Sequence, residues 1–121
     1  MSHDSLENLK VRLRDFAKER DWDQFHSPKN LSMALIAEAG ELIEHFQWLT
    51  QEQSSNLSQD KLKPVEQELG DILIYLVRIA DQLDIDLINA AHTKVDINKK
   101  KYPVSEVKGS ARKYSEYWWG C

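Results

Sequence analysis

The stretch MALIAEAGELIEHFQWL, residues 33–49, decides the fold: read as a helix it is apolar on nearly every side, yet Glu38 and Glu41 sit in its middle. Three residues turn a helix by about 300 degrees, so the two carboxylates share a face one turn apart. VEQELGDILIYLVRIA, residues 65–80, repeats the plan with Glu68 and Asp71. Ionised carboxylates are costly to desolvate among leucines and isoleucines unless something positive meets them there. Two such pairs facing each other make a hard-cation site. An all-oxygen donor set without a supporting cysteine favours Mg²⁺ or Mn²⁺ over zinc.

Working outward, Leu6, Leu9, Leu13 and Phe16 recur at helical spacing and predict a first helix over residues 4–19, with Asp4 and Glu7 resembling a capping box. RDWDQFHSPKN, residues 20–30, breaks the periodicity and reads as a loop carrying Trp22, Phe25 and His26, side chains that call for a surface to fold over. The second helix starts at Pro28 or Leu31 and runs to residue 49. TQEQSSNLSQDK, residues 50–61, is a polar connection. A third helix begins between residues 58 and 65 and reaches 83, with Pro64 tolerable only in its first turns. Asp84 is placed to cap a fourth helix over residues 85–101, and Pro103 closes it. The tail from 104 to 121 reads as mostly irregular, with Trp118 and Trp119 assigned to its packing.

No segment alternates like a strand, so the expectation is an all-α, antiparallel four-helix bundle-like fold in a single domain of residues 1–121. The second and third helices carry more apolar residues than one buried stripe needs. Leu69, Ile72, Leu76 and Leu83 make one face of the third, while Ile74 and Val77 point elsewhere. Helices of this kind need cover on more than one side, which points to a homodimer or a dimer of dimers. A net charge of −4 argues against a nucleic-acid partner, and no run approaches the ~20 apolar residues that span a bilayer. With one cysteine, Cys121, a soluble cytoplasmic protein is expected.

Each constellation has a plainer alternative. The four acids could be exposed positions paired with surface lysines, although Glu38 and Glu41 share their side with Ala34 and His45, and Glu68 and Asp71 theirs with Tyr75 and Arg78. A di-iron centre would want Glu-x-x-His on two helices, which this chain lacks. Lys94, Asn98 and Lys101, at offsets of four and three, lie along one helical face able to grip a polyphosphate, or form a solvated lysine-rich helix end. Trp22 and Trp48, with His26 nearby, can stack a base or simply fill core and interface.

Together EAGELIEHFQW, ELGDILIYLVRIADQL and KVDINKKKYP resemble the MazG-like group of all-α nucleoside triphosphate pyrophosphohydrolases. FAKERDWDQFHSPKNL and GSARKY place the resemblance nearest its dCTP pyrophosphatase branch, over roughly residues 13–114. The resemblance implies that Glu38, Glu41, Glu68 and Asp71 hold Mg²⁺ and carry catalysis. It implies further that Lys94, Asn98, Lys101 and Tyr102 contact the triphosphate, and that Trp22 and Trp48 enclose the base with His26 at the pocket edge. Leu13 departs from it, standing where some dCTP pyrophosphatases have a His near the base. The implied reaction converts a (deoxy)nucleoside triphosphate, dCTP or a related one, to the monophosphate and pyrophosphate. The alternative class is a non-catalytic helical interaction or regulatory module of the same fold.

Overall fold

The computed structural model describes residues 5–112 and residue 116, and among these there is no strand. Six α-helices follow one another among them, α1 (Leu6–Glu19), α2 (Pro28–Glu44), α3 (Gln51–Ser54), α4 (Gln59–Gln82), α5 (Leu87–Lys101) and α6 (Val104–Val107), with a 3₁₀ turn (Asp23–Phe25) between α1 and α2. They fall into two compact units that divide between Ile85 and Asp86. The places expected for Asp4, Trp118, Trp119 and Cys121 lie outside the described residues.

In the first unit α4 packs against both α2 and α1. Its buried side is Val65, Val77 and Ala80, and it meets Leu31 of α2 and Ala17 of α1 as the other buried apolar residues. This differs from the face expected for the third helix. Leu69, Leu76 and Leu83 are exposed, so the packing of α1 and α2 on α4 leaves these three uncovered. Phe16 is also open to solvent. Its ring carries the Arg20 guanidinium at 3.7 Å and meets Trp22 edge-on, with centroids 5.6 Å apart.

Helix ends explain the remaining departures. Ser5 starts α1, its hydroxyl accepting from the Asn8 N–H at 3.0 Å. Two Schellman closures then end α1 and α4. Asp21 (φ 53°) and Asp84 (φ 55°) take the left-handed position, while the Trp22 and Ile85 N–H groups donate back to the Ala17 and Ala80 carbonyls at 2.9 and 2.8 Å. Asp84 therefore terminates α4, and Asp86 is the residue that caps α5. At the start of α2, Ser27 caps by accepting from Asn30 N–H at 3.1 Å with Pro28 behind it. Ser27→Ala is expected to lower stability by about 1 kcal/mol, read as a fall in the urea midpoint with the slope unchanged.

Helix α2 ends at Glu44, earlier than the pattern suggests. Residues 45–49 are turns, and Thr50 opens α3 in a reciprocal capping box with Gln53. In the second unit, α5 carries Lys94, Asn98 and Lys101, and Tyr102 forms its C-cap through an N–H bond to the Asn98 carbonyl at 2.8 Å. Pro103 then precedes the short α6, where irregular chain was expected. No helix among the described residues is long and apolar enough to cross a membrane.

Candidate active site

Glu38 and Glu41 project from α2, and Glu68 from α4, toward a common point: one carboxylate oxygen of each lies within 4.8 Å of the other two. The i, i+3 spacing puts the first two on one side of α2, and the packing of α4 on α2 supplies the third. Glu38 Oε2 and Glu68 Oε2 are both buried and accept from no donor. Two ionised carboxylates have no proton to share, so these oxygens repel each other. Protonation of one creates a hydrogen bond, and this contact with Glu68, reinforced by desolvation and by Glu41, pushes the Glu38 carboxyl up to about 7. Orphaned, mutually repelling, hard oxygen donors are what a divalent cation satisfies, so the three glutamates fit such an ion.

Asp71, one turn along α4 from Glu68, stands outside the three-glutamate group, although its charge is felt by Glu38. It also belongs to a cavity of about 420 Å³ between α1, α4 and the turn that joins α1 to α2. Leu9, Leu13 and Phe16 come from α1, Trp22 and His26 from the turn, and Asp71, Tyr75 and Arg78 from α4. The cavity thus begins beside the carboxylates and is walled by aromatic and aliphatic groups. Burial first, then the charges of Glu38 and Asp71, push the Tyr75 phenol up, which keeps it protonated. A larger hollow of about 500 Å³, around Leu49, Gln53, Asn56 and Lys61, includes none of the clustered glutamates.

Of the residues singled out in the sequence, Glu38, Glu41 and Glu68 converge, while Asp71, Trp22 and His26 share the adjacent cavity. Trp48 does not join them: it follows the end of α2, is 86% exposed and is absent from the cavity wall. Glu44, three residues after Glu41 at the end of α2, is exposed. Lys94, Asn98 and Lys101 follow one another on α5 in the second unit at offsets of four and three, and Tyr102 is the C-cap of that helix. Arg78 is the residue whose role sequence reading missed. It is only 4% exposed and bridges Asp23, His26 and Asp81. An arginine inside YLVRIA was the available signal, since a buried guanidinium demands acceptors.

Residues 34–117 match the model of the MazG-like family. The chain belongs to the MazG-like family. Among curated relatives, dCTP pyrophosphatase 1 of Homo sapiens is 43% identical over 114 residues, covering 93% of this chain and 67% of the relative. The Bos taurus dCTP pyrophosphatase 1 is 44% identical over 117 residues, covering 95% and 69%. Among solved structures, the crystal structure of a pyrophosphatase from Archaeoglobus fulgidus superposes with a TM-score of 0.78 at 36% identity, covering 85% of this chain and 96% of that one. These likenesses favour an enzyme over a non-catalytic helical module.

Proposed function

We propose that this MazG-like chain hydrolyses deoxynucleoside triphosphates, with dCTP the leading substrate, between the α- and β-phosphates to release the monophosphate and pyrophosphate. The observation that carries it is the convergence of Glu38, Glu41 and Glu68, two of them with buried unpaired oxygens, in a chain 41–44% identical to dCTP pyrophosphatases. The three glutamates, with Asp71 beside them, would hold Mg²⁺, for which Mn²⁺ is a chemical substitute. When bound, the ion supplies Lewis-acid polarisation of phosphoryl oxygens.

The chain's own groups do the rest. A carboxylate of the cluster accepts the proton of the attacking water. Trp22 offers a stacking face to the base, and His26 lines the wall next to it. Trp48, exposed in the single chain, is assigned to the base through the family pattern alone. The phosphate roles of Lys94, Asn98, Lys101 and Tyr102 have the same support; for the first three it is joined by helical spacing along one face, which fits ammonium and amide donors to phosphate oxygens. A nucleotide substrate and a single cysteine both fit a cytoplasmic enzyme.

The test is product analysis by phosphorus NMR on a panel of deoxynucleoside triphosphates with Mg²⁺. Monophosphate and pyrophosphate in equal amounts are expected, fastest from dCTP. Diphosphate and inorganic phosphate, or no turnover of any member, would refute the reading. Leu13, an aliphatic group on the cavity wall, makes the base ranking the most informative part of the panel.

Self-association is part of the same proposal. Met33, Ile36 and Ile43 of α2 form an exposed stripe away from the glutamates, and Leu62, Leu69, Leu73 and Leu76 form another on α4. Gly40 and Gly70 lie on the same two helices with open space where a Cβ would be. A helix-interior glycine is destabilising by roughly 1 kcal/mol relative to alanine, and nothing among the described residues comes close enough to require these two. A second copy packed against the stripes accounts for both features. Ile36→Glu combined with Leu73→Glu is expected to reduce the mass in sedimentation equilibrium from a dimer or tetramer to a monomer. A wild-type monomer at micromolar concentration would refute the assembly.

A further inference from the structure

Arg78 lies on α4, 4% exposed, and its charge cannot be relieved by losing a proton. Its Nη2 donates to Asp23 Oδ1 at 3.2 Å and to His26 Nδ1 at 3.4 Å, while Nη1 stands 3.6 Å from Asp81 Oδ2. Asp81 is gripped in turn by Arg14, which donates through Nε at 2.7 Å and Nη2 at 2.5 Å. The guanidinium is therefore fixed from the side of α1 and α4 before it reaches the turn. A guanidinium can only donate, so its contact with His26 Nδ1 requires that nitrogen to be bare. The ring proton then resides on Nε2. Burial, followed by the positive charge of Arg78, lowers the proton affinity of His26 and disfavours the doubly protonated ring.

Trp22 and His26 both line the cavity with ring centroids 6.1 Å apart. Stacking on an indole is tolerant of base identity, so Trp22 alone sets no register. We propose that Arg78 is a positioning residue that locks His26 as the Nε2–H tautomer, giving the cavity wall a fixed donor for a nucleobase edge that carries an acceptor, a carbonyl oxygen or a bare ring nitrogen. This rests on the reading of the cavity as the base site. A mobile or mixed-tautomer imidazole would offer donor and acceptor alternately and would hold no single base orientation.

The experiment is long-range ¹H–¹⁵N NMR of histidine-labelled full-length protein, wild type and Arg78→Met, with the His26 signals assigned by their loss in His26→Gln. The wild type is expected to show one neutral His26 tautomer, bare at Nδ1 and protonated at Nε2. Arg78→Met is expected to show the averaged signals of a free imidazole, with KM for dCTP raised roughly tenfold and kcat little changed. A wild-type His26 protonated at Nδ1, or already averaged, overturns the proposal whether or not the variant folds. An unchanged KM in a variant whose tautomer has been released overturns the positioning role. Absence of turnover on every triphosphate by the wild type sinks the pyrophosphohydrolase reading instead, and the spectra still report the tautomer.

Discussion

Glu41→Ala is expected to lower turnover of dCTP by on the order of 10³-fold or more while leaving the helical circular dichroism intact. Glu41 is exposed on α2 and contributes no buried contact to the core, so its loss removes a cation donor without opening a cavity. It also removes a negative charge that presses on Glu38. The metal-free variant should therefore melt no lower than the metal-free wild type. This pairing of lost activity with retained or improved apo stability separates a ligand from a structural residue. Glu68→Gln should behave in the same way. Full activity of Glu41→Ala with saturating Mg²⁺ would remove that residue from the site.

Mg²⁺ should raise the melting temperature by on the order of 10 °C at a hundredfold excess over Kd, and the size of the effect should depend on pH. Folding raises the Glu38 carboxyl from its ordinary 4.5 to about 7, so between those values the folded protein keeps a proton that the unfolded chain has released. Its contribution to metal-free stability is fully present below about 4.5 and is lost as pH rises to about 7. The metal-free melting temperature should fall across that window on this account and level off above it. Mg²⁺ must displace the same proton, so binding should weaken below about 7 and release on the order of one proton per site within the window. Differential scanning calorimetry at several pH values, with Mg²⁺ or with a chelator, measures both trends. A melting temperature indifferent to Mg²⁺ at pH 8 would contradict a preformed carboxylate cage.

The convergence of Glu38, Glu41 and Glu68 was legible in the sequence because burial is written into neighbours. Glu38 and Glu41 lie within MALIAEAGELI, and Glu68 and Asp71 within VEQELGDILIYL, where any helical packing brings carboxylates toward an apolar partner. The helix ends that moved were harder to read. Residues 45–49 hold no glycine or proline, so nothing in HFQWL announces that α2 has stopped; the signal lay in the residues directly after, the Thr50 and Gln53 capping box. Asp84 and Asp86 are chemically alike, and only backbone conformation makes the first a left-handed terminator and the second a cap.

Long-range partners were beyond reach. Arg78 meets residues 55 and 52 positions away, and periodicity carries no information about which loop aspartate or histidine folds back onto which helix turn. The exposure of Trp48 and of the Leu69, Leu73 and Leu76 stripe follows from the same limit. An apolar pattern states that a face needs cover without stating whether the cover comes from the same chain.

The most direct test is uptake of Mn²⁺ by the protein without nucleotide, followed by loss of the free-ion electron paramagnetic resonance signal. Wild type should bind the ion stoichiometrically, and the variant Glu38→Gln with Glu68→Gln should leave it free. Equal uptake by the two proteins would contradict a cation held between α2 and α4.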